Sequence, residues 1–323
     1  MKKLMFANAV AVAAAMVAIG AAQAQATDTL AKVKESGTIT MGVRESSGVL
    51  SYTLGGSKYV GYHVAICEAA IENIEKAVGR KLTVKYQPVT SQNRIPLVQN
   101  GTVDIECGST TNNATRQKDV SFANTTFVEE VRIAVKAASG IKSVADLKDK
   151  TVATTTGTTS VQTLRKNKRA AGLEFKELFG KDHSDSFLLV ESGRADAFVM
   201  DGSLLAGLIA RSKNPADFKI VGEVLSVEPI AIMMRKDDEG LKKIVNATIA
   251  GLVKSGEINK LYTKWFQQPT PPTGATVGLA MSDMLKETLK SPNDKPMEEY
   301  AKKLLATSSA GRVGVTPRGP PSA

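Results

Sequence analysis

The sequence is poor in the residues on which most metal and nucleophilic sites depend. Its 323 residues include two cysteines, two histidines and one tryptophan, and aromatic residues make up only 5%. It has no Cys-x-x-Cys pair and no His-rich tract, so its spacing supports neither a metal site nor a catalytic triad. An apolar fraction of 42% excludes disorder as a description of the whole chain and is sufficient for the cores of two medium domains.

Only the start of the chain carries a long apolar run. Lys2 and Lys3 precede an apolar stretch over residues 9–22, and alanines at 22, 24 and 26 provide two A-x-A cleavage frames. We therefore predict a secretory signal peptide over residues 1–26, with no cysteine after it to carry a lipid. The alternative, a transmembrane anchor, needs about 20 apolar residues. The mature chain is expected in the periplasm.

The mature chain is basic. Removal of the leader takes away Lys2 and Lys3 and no acid, which lowers the formal net charge from +10 to +8. A nucleic-acid partner is not expected, because the chain is exported and its basic residues do not alternate with aromatic ones as in a stacking platform. Small anions and membrane partners remain as explanations of the charge.

Cys67 and Cys107 are the only cysteines. In an exported chain such a pair can form a disulfide, and two buried thiols fit the sequence equally well. The choice stays open because the sequence does not fix the distance between the two Cα atoms.

Strand and helix patterns alternate along the mature chain. Short apolar runs predict strands over residues 37–44, 82–86, 103–107, 151–155 and 195–200. Helical spacing predicts helices over residues 29–35, 62–78, 93–99, 161–170 and 187–193. This alternation is typical of an α/β fold built from mostly parallel sheets flanked by helices.

Two longer extended stretches, residues 127–136 and 220–234, are rich in Val and Ile. We interpret them as crossover strands that join two lobes and form a hinge. The predicted division is lobe one over residues 27–131 plus 227–294, lobe two over residues 132–226, and a flexible C-terminal tail over residues 295–323.

Polar side chains follow the ends of the predicted strands. Ligands of parallel α/β sheets bind beyond the carboxyl ends of the strands, so these loops are read as one site. Taken singly, each residue has an ordinary alternative as a solvated charge or a helix cap. The strand ends and nearby loops supply Arg44, Ser91, Arg94, Ser109, Thr111, Arg116, Thr159, His183 and Asp201.

Several motifs are distinctive in combination. They are SQNRIPL at 91–97, ECGSTTNN at 106–113, RQK at 116–118, GVRESS at 42–47, GTTS at 157–160, KDH at 181–183 and DSF at 185–187. With these motifs the chain resembles the periplasmic glutamate/aspartate-binding proteins of ABC importers, over about residues 29–293. The resemblance implies a two-lobed type II solute-binding fold that closes around one amino acid.

The resemblance also implies a role for each site residue. Arg116, with Thr111 and Thr159, would bind the α-carboxylate of the ligand. Ser109 and Asp201 would hold the α-ammonium. The side-chain carboxylate would be bound by Arg44, Ser91, Arg94 and His183. Charge supports this set independently, because three arginines and one aspartate match two anions and one cation, and arginine binds carboxylates in a bidentate fork.

The implied protein is a monomeric binding protein, not an enzyme. Its expected partners are glutamate or aspartate and an inner-membrane ABC permease, with no cofactor and no metal. The alternative is a periplasmic dehydratase of the cyclohexadienyl or arogenate type on the same fold, in which His183 beside Asp182 and Asp185 would act as a general base. His63, just before a predicted helix, is expected to be structural.

The chain departs from the family pattern at its cysteines. Cys107 stands where the family has a cysteine, but the usual partner near Ile232 is absent, and Cys67 lies on a predicted helix instead. A rearranged bridge between Cys67 and Cys107 is therefore one reading of the pair.

Overall fold

The structure, a computed structural model, describes residues 28–302. The predicted signal peptide lies outside these residues. In chain order the strands are β1 (Thr38–Val43), β2 (Ser46–Ser47), β3 (Ser51–Gly55), β4 (Lys58–Val60), β5 (Thr83–Pro88), β6 (Ile105–Glu106), β7 (Val120–Phe122), β8 (Phe127–Lys136), β9 (Thr151–Thr155), β10 (Lys176–Gly180), β11 (Ala197–Asp201), β12 (Phe218–Ile230) and β13 (Met233–Arg235).

The α-helices alternate with these strands. They are α1 (Thr29–Ser36), α2 (Tyr62–Val78), α3 (Arg94–Gln99), α4 (Thr159–Ala170), α5 (His183–Glu191), α6 (Gly202–Arg211), α7 (Glu239–Lys254), α8 (Glu257–Tyr262) and α9 (Asp283–Lys290). Short 3-10 turns lie at Arg116–Lys118, Val144–Leu147 and Pro215–Asp217, and a π-helical turn at Thr263–Gln267.

Two five-stranded sheets form the centres of the two lobes. The sheet of lobe one has the order β5-β1-β6-β13-β7, and that of lobe two has the order β10-β9-β11-β8-β12. Strands β2, β3 and β4 make a separate small sheet, which the sequence did not predict because its strands are too short to show alternation. The predicted α/β class is therefore confirmed.

In each sheet four strands run in one direction and one strand runs against them. Strand β1 pairs in parallel with β5 and β6, and β9 does so with β10 and β11. The strands β13 and β8, which follow the passages between the lobes, run antiparallel to both of their neighbours. The expectation of mostly parallel sheets is confirmed, and the one reversed strand in each sheet is the strand on which the chain enters from the other lobe.

The crossover region is close to the predicted one. Strand β8 covers the predicted residues 127–136, but the predicted stretch 220–234 is divided at residues 231 and 232 into β12 and β13. Strands β8 and β12 pair with each other, so that Ile230 faces Phe127 and Glu228 faces Glu129. The chain thus leaves lobe one after β7 and returns to it at β13.

A cluster of aromatic rings packs beside the first crossover. The Phe127 ring stacks on Phe266 with centroids 4.9 Å apart, and Tyr62 at the start of α2 meets both Phe266 and Tyr262 edge-on. Burial of such rings contributes about 1.5–3 kcal/mol each. The cluster therefore fixes the start of β8 against α2 and the end of α8.

Two helices begin earlier than predicted. Helix α4 starts at Thr159 and α5 at His183, rather than at 161 and 187. The first turn of α5 reads His-Ser-Asp-Ser, which shows no apolar spacing, so periodicity alone could not detect it. The predicted site residues Thr159 and His183 therefore each lie at the beginning of a helix and not in a loop.

The predicted tail is attached to lobe one for part of its length. The Met297 amide donates to the Asn112 carbonyl (2.9 Å), and the Ala114 amide donates to Glu298 (3.1 Å). The flexible tail from residue 295 stays a prediction, and residues 303–323 lie outside the described chain. No helix within residues 28–302 is long and apolar enough to cross a membrane.

Candidate functional site

The nine predicted site residues converge at the carboxyl ends of the two sheets. All are buried, from Arg44 at 0% exposure to Arg116 at 9%. Lobe one contributes Arg44, Ser91, Arg94, Ser109, Thr111 and Arg116, and lobe two contributes Thr159, His183 and Asp201. Such a concentration of buried charge requires compensation inside the protein.

Arg44 directly follows β1 and reaches into lobe two. Its Nη2 lies 3.1 Å from Ser91 Oγ, 2.9 Å from Asp182 Oδ1 and 3.1 Å from His183 Nε2. Ser46 donates to the other carboxylate oxygen of Asp182 at 2.8 Å. Asp182 therefore bonds to lobe one at two points.

Asp182 was not assigned to the ligand site from sequence. Burial alone would raise the pKa of its carboxyl, but the Arg44 charge, the His183 ring and the hydrogen bonds from Ser46 and the His183 amide outweigh burial and lower it. The aspartate is thus an ionised partner of Arg44 across the lobes.

The contacts of His183 define its protonation. Because a guanidinium can only donate, the Nε2 beside Arg44 carries the lone pair, and Nδ1, 3.0 Å from Thr155 Oγ1, carries the proton. Burial and the Arg44 charge lower the pKa of His183 to about 3, so the ring is neutral. Both nitrogens are engaged, and the ring orients Arg44 rather than serving as a free base.

Arg94 and Arg116 are held by backbone carbonyls. Arg94 Nη1 donates to the Ser109 carbonyl at 3.1 Å, and Arg116 donates to the carbonyls of Thr111 (2.9 Å) and Gly157 (3.3 Å). Within residues 28–302 neither forms an ion pair with a carboxylate. Burial, together with Arg116 and Arg44, lowers the pKa of Arg94 well below its usual value. These cations would be stabilised by an incoming anion.

Ser109 lies at the centre of the lobe-one side. Its Oγ is 2.9 Å from Ser47 Oγ and 3.5 Å from Arg44 Nη1. The Ser109 loop is fixed to α2 by a disulfide between Cys67 and Cys107, whose Cα atoms are 6.3 Å apart. The disulfide therefore lies two residues before Ser109 in the chain.

A second residue not predicted from sequence, Glu228 on β12, joins the two threonines. Its Oε2 accepts hydrogen bonds from Thr111 Oγ1 at 2.7 Å and from Thr159 Oγ1 at 2.6 Å. Ser226 donates to the other oxygen at 2.8 Å. The available signal was a single acid within the apolar run SVEPI, a position where a strand rarely carries an unpaired charge.

Three carboxylates share one face of the lobe-two sheet. Glu228 faces Glu129 across the β8–β12 ladder, and Asp201 faces Val131 across the β11–β8 ladder. Side chains two residues apart on a strand point the same way, so Asp201, Glu129 and Glu228 lie on the same face. All three are at most 2% exposed.

Asp201 is the least compensated of these acids. Its Oδ1 has no hydrogen-bond partner among the described residues, whereas Glu129 accepts from both the hydroxyl and the amide of Ser203. Burial and the charges of Glu129 and Glu228 raise the pKa of Asp201 well above its usual value, against the opposing effect of Arg94 and Arg116. A cationic group beside Asp201 would relieve this imbalance.

Residues 28–302 contain no group of three or more His, Cys, Asp or Glu side chains that could hold a metal ion. The arrangement of side chains can bind a small charged ligand. Its guanidinium groups can pair with anions, and the Asp201 carboxylate, whose Oδ1 lacks a hydrogen-bond partner among the described residues, can pair with a cation. A ligand between these groups would contact both lobes.

Residues 39–268 match the family described as bacterial extracellular solute-binding proteins, family 3. The chain belongs to this family. The glutamate/aspartate import solute-binding protein of Escherichia coli (strain K12) is 44% identical over 295 residues, covering 90% of this chain and 98% of the relative. The L-glutamate/L-aspartate-binding protein of Pseudomonas aeruginosa is 44% identical over 292 residues, covering 90% and 96%. These matches confirm the resemblance drawn from the motifs.

Solved structures of similar fold are also binding proteins. The solute receptor for L-cysteine of Neisseria gonorrhoeae has a TM-score of 0.65 at 26% identity, covering 73% of this chain and 93% of that one. The ancestral amino acid-binding protein AncCDT-1, a precursor of cyclohexadienyl dehydratase, has a TM-score of 0.63 at 28% identity, covering 74% and 99%. The two-lobed type II architecture of this solute-binding protein is thereby confirmed.

Proposed function

We propose that this solute-binding protein captures one L-glutamate or L-aspartate between its lobes in the periplasm and delivers it to an inner-membrane ABC permease. The observation that most supports this proposal is that three buried arginines, Arg44, Arg94 and Arg116, converge on one site. The same site holds the Asp201 carboxylate, whose Oδ1 has no hydrogen-bond partner among the described residues. The names of the relatives and the predicted signal peptide support the same function.

The charges of the site match those of the ligand. Arg116, near Thr111 and Thr159, would bind the α-carboxylate, and Asp201 with Ser109 would bind the α-ammonium. The side-chain carboxylate would lie toward Arg44, Arg94, Ser91 and His183. Because the His183 ring is neutral and bonded to Arg44, its part is to orient that guanidinium.

Ligand capture would require opening and closing of the lobes. Besides Arg44–Asp182, the bonds Thr111–Glu228 and Arg116–Gly157 cross between the two sides. At Gly157, with φ +81°, an added Cβ would lie 2.8 Å from backbone atoms of Gln92, so only glycine permits this approach. The structure is thus closed, and a ligand would enter an open form by hinge motion.

A binding role is favoured over the dehydratase alternative. The close relatives are named as binding proteins, and the one histidine at the site has no free ring nitrogen with which to accept a proton from a substrate.

The deciding experiment is calorimetric titration of ligand-stripped protein with glutamate, aspartate, glutamine and asparagine. We expect the two acidic amino acids to bind well below millimolar concentration and the amides more weakly. Absence of submillimolar binding by either acid would overturn the proposal. Incubation with arogenate or prephenate provides the enzymatic arm, in which formation of product would instead favour the dehydratase.

A further inference from the structure

His63, on α2, makes two buried hydrogen bonds to two different parts of the molecule. The residue is fully buried, with Nδ1 2.5 Å from the Gly108 carbonyl and Nε2 2.8 Å from Thr126 Oγ1. A carbonyl only accepts, so Nδ1 carries the proton. Burial lowers the pKa of His63 to about 4, with the Gly108 bond opposing, and the neutral ring must accept the Thr126 hydroxyl at Nε2.

The first bond holds residues 108–109, which are called the ligand loop because Ser109 would contact the ligand under the proposed function. Gly108 lies between the disulfide-bonded Cys107 and the site residue Ser109. An added Cβ at Gly108 would lie 2.7 Å from Arg44 Cγ, which shows that this backbone packs directly on the Arg44 side chain. A displacement of Gly108 would therefore move both Arg44 and Ser109.

The second bond reaches the hinge. Thr126 immediately precedes β8, the first crossover strand, and its amide donates to the carbonyl of Ile230 at 3.1 Å. Ile230 is the last residue of β12, the second crossover strand, and it also forms a β-bridge with Thr111. Thr126 therefore touches both strands on which the lobes would turn.

We propose that His63 is a positioning residue that couples the ligand loop at Gly108 and Ser109 to the hinge at Thr126 and Ile230. A histidine that only filled the core would not need both of its ring nitrogens bonded, one to the ligand loop and the other to the hinge. The inference deepens the proposed function, since its affinity measurements use glutamate as the ligand.

The protonation state of the His63 ring can be measured directly. It has only two histidines, so protein labelled with ¹⁵N-histidine gives two imidazole spectra, assigned by substitution of either residue. We expect His63 to be neutral with the proton on Nδ1 from pH 5 to pH 8. A proton on Nε2, or titration within this range, would overturn the proposal whether or not glutamate is the ligand.

Substitutions separate the two bonds. His63→Asn carries an amide nitrogen near the position of Nδ1 and can keep the Gly108 bond, His63→Gln can keep the Thr126 bond, and His63→Leu keeps neither. We expect each of the three variants to weaken glutamate binding about tenfold, because loss of either bond interrupts the coupling. Should the Leu variant fail to fold, the Asn and Gln variants decide alone.

A matched control and a double variant complete the test. Asn73→Ala removes a hydrogen bond (2.9 Å, to Thr248) from the same helix, away from the ligand loop, and should leave the affinity for glutamate unchanged. The double variant Thr126→Val/His63→Leu should bind glutamate no more weakly than His63→Leu alone. Both substitutions break the same connection between the ligand loop and the hinge, so their effects should not add. Multiplicative losses in the double variant, or a His63→Asn or His63→Gln variant that binds glutamate like the parent, would overturn the coupling. Failure of the parent protein to bind glutamate or aspartate would overturn the proposed function instead.

Discussion

The two sides of the site carry opposite charges. Lobe one presents three buried arginines, Arg44, Arg94 and Arg116, whereas the lobe-two sheet and its crossover strands present Asp201, Glu129 and Glu228 on one face. Each side is therefore poorly compensated alone. A ligand with two carboxylates and one ammonium can pair all of its charges only when the lobes meet. Binding of such a ligand therefore favours the closed form.

The cationic side can be tested first, where the largest effect is expected. Arg94→Ala should cost about 2–5 kcal/mol of glutamate binding, because it removes a buried partner of a carboxylate. The loss should be smaller for glutamine, which has no side-chain charge. Calorimetry with both ligands provides the measurement, and Arg80→Ala on the exposed surface of lobe one is the control. Equal losses for the two ligands would remove Arg94 from the side-chain subsite.

The anionic side is expected to follow with a loss of about 2–3 kcal/mol. Asp201→Asn keeps the shape of the side chain but removes the charge that would pair with the ammonium. Binding of glutamate should weaken, and solution scattering should show less contraction of the radius of gyration at a fixed subsaturating ligand concentration. A variant that binds and contracts like the parent would exclude Asp201 from the site.

The pH dependence of stability tests the acidic face itself. Burial raises the pKa of Glu129 to about 7, against the opposing Ser203 hydrogen bonds, and Glu228 adds to the increase. The folded ligand-free protein then holds a proton that the unfolded chain releases near pH 4.5, so the Glu129 contribution to stability declines as the pH rises from about 4.5 to 7. Its slope is about 1.4 kcal/mol per pH unit.

Glu129→Gln should remove this decline, measured as the free energy of unfolding in urea at several pH values. Glu130→Gln is a closely matched control, since the neighbouring carboxylate is half exposed and its one ion pair within residues 28–302 is with Arg132. If both variants keep the pH profile of the parent, the acidic face does not hold the proton.

The smallest effect is expected at the interlobe ion pair. Asp182→Asn retains the bond from Ser46 but removes the charge next to Arg44. The closed form loses an ion pair while Arg44 becomes more available to an anion, so glutamate affinity should change by less than about 1 kcal/mol. The ligand-free protein should show a larger radius of gyration. An affinity loss as large as that of Asp201→Asn would instead place Asp182 in direct contact with the ligand.

Much of this site could be predicted from the sequence, for reasons that differ between the two sides. The arginines stand after apolar strands and within distinctive motifs, so strand ends and resemblance both lead to them. Glu228 and Glu129 lie inside the crossover strands, where the sequence gives no indication of the partners of an acidic side chain. Their contacts with Thr159 and Ser203 depend on how strands and helices meet in space.

The fold shows the same limit. The bounds of α2, β8 and β9 follow from apolar spacing and were predicted correctly. The early start of α5 and the short strand β2 lack such spacing and were missed. The pairing of Cys67 with Cys107 depends on the packing of α2 against the ligand loop, which no local pattern encodes.

The attachment of residues 293–298 to lobe one has a practical consequence for reporter design. Because Met297 and Glu298 are bonded to the segment beside Arg116, a fluorescent domain fused after Lys302 would be carried by lobe one. The exposed turn at Ala171 and Gly172 lies on lobe two, and Ala171 is the better attachment point because Gly172 has a φ of +60° that side chains rarely adopt. A second fluorophore there would convert hinge closure into a change of energy transfer, and this chain would serve as an optical sensor of its own ligand.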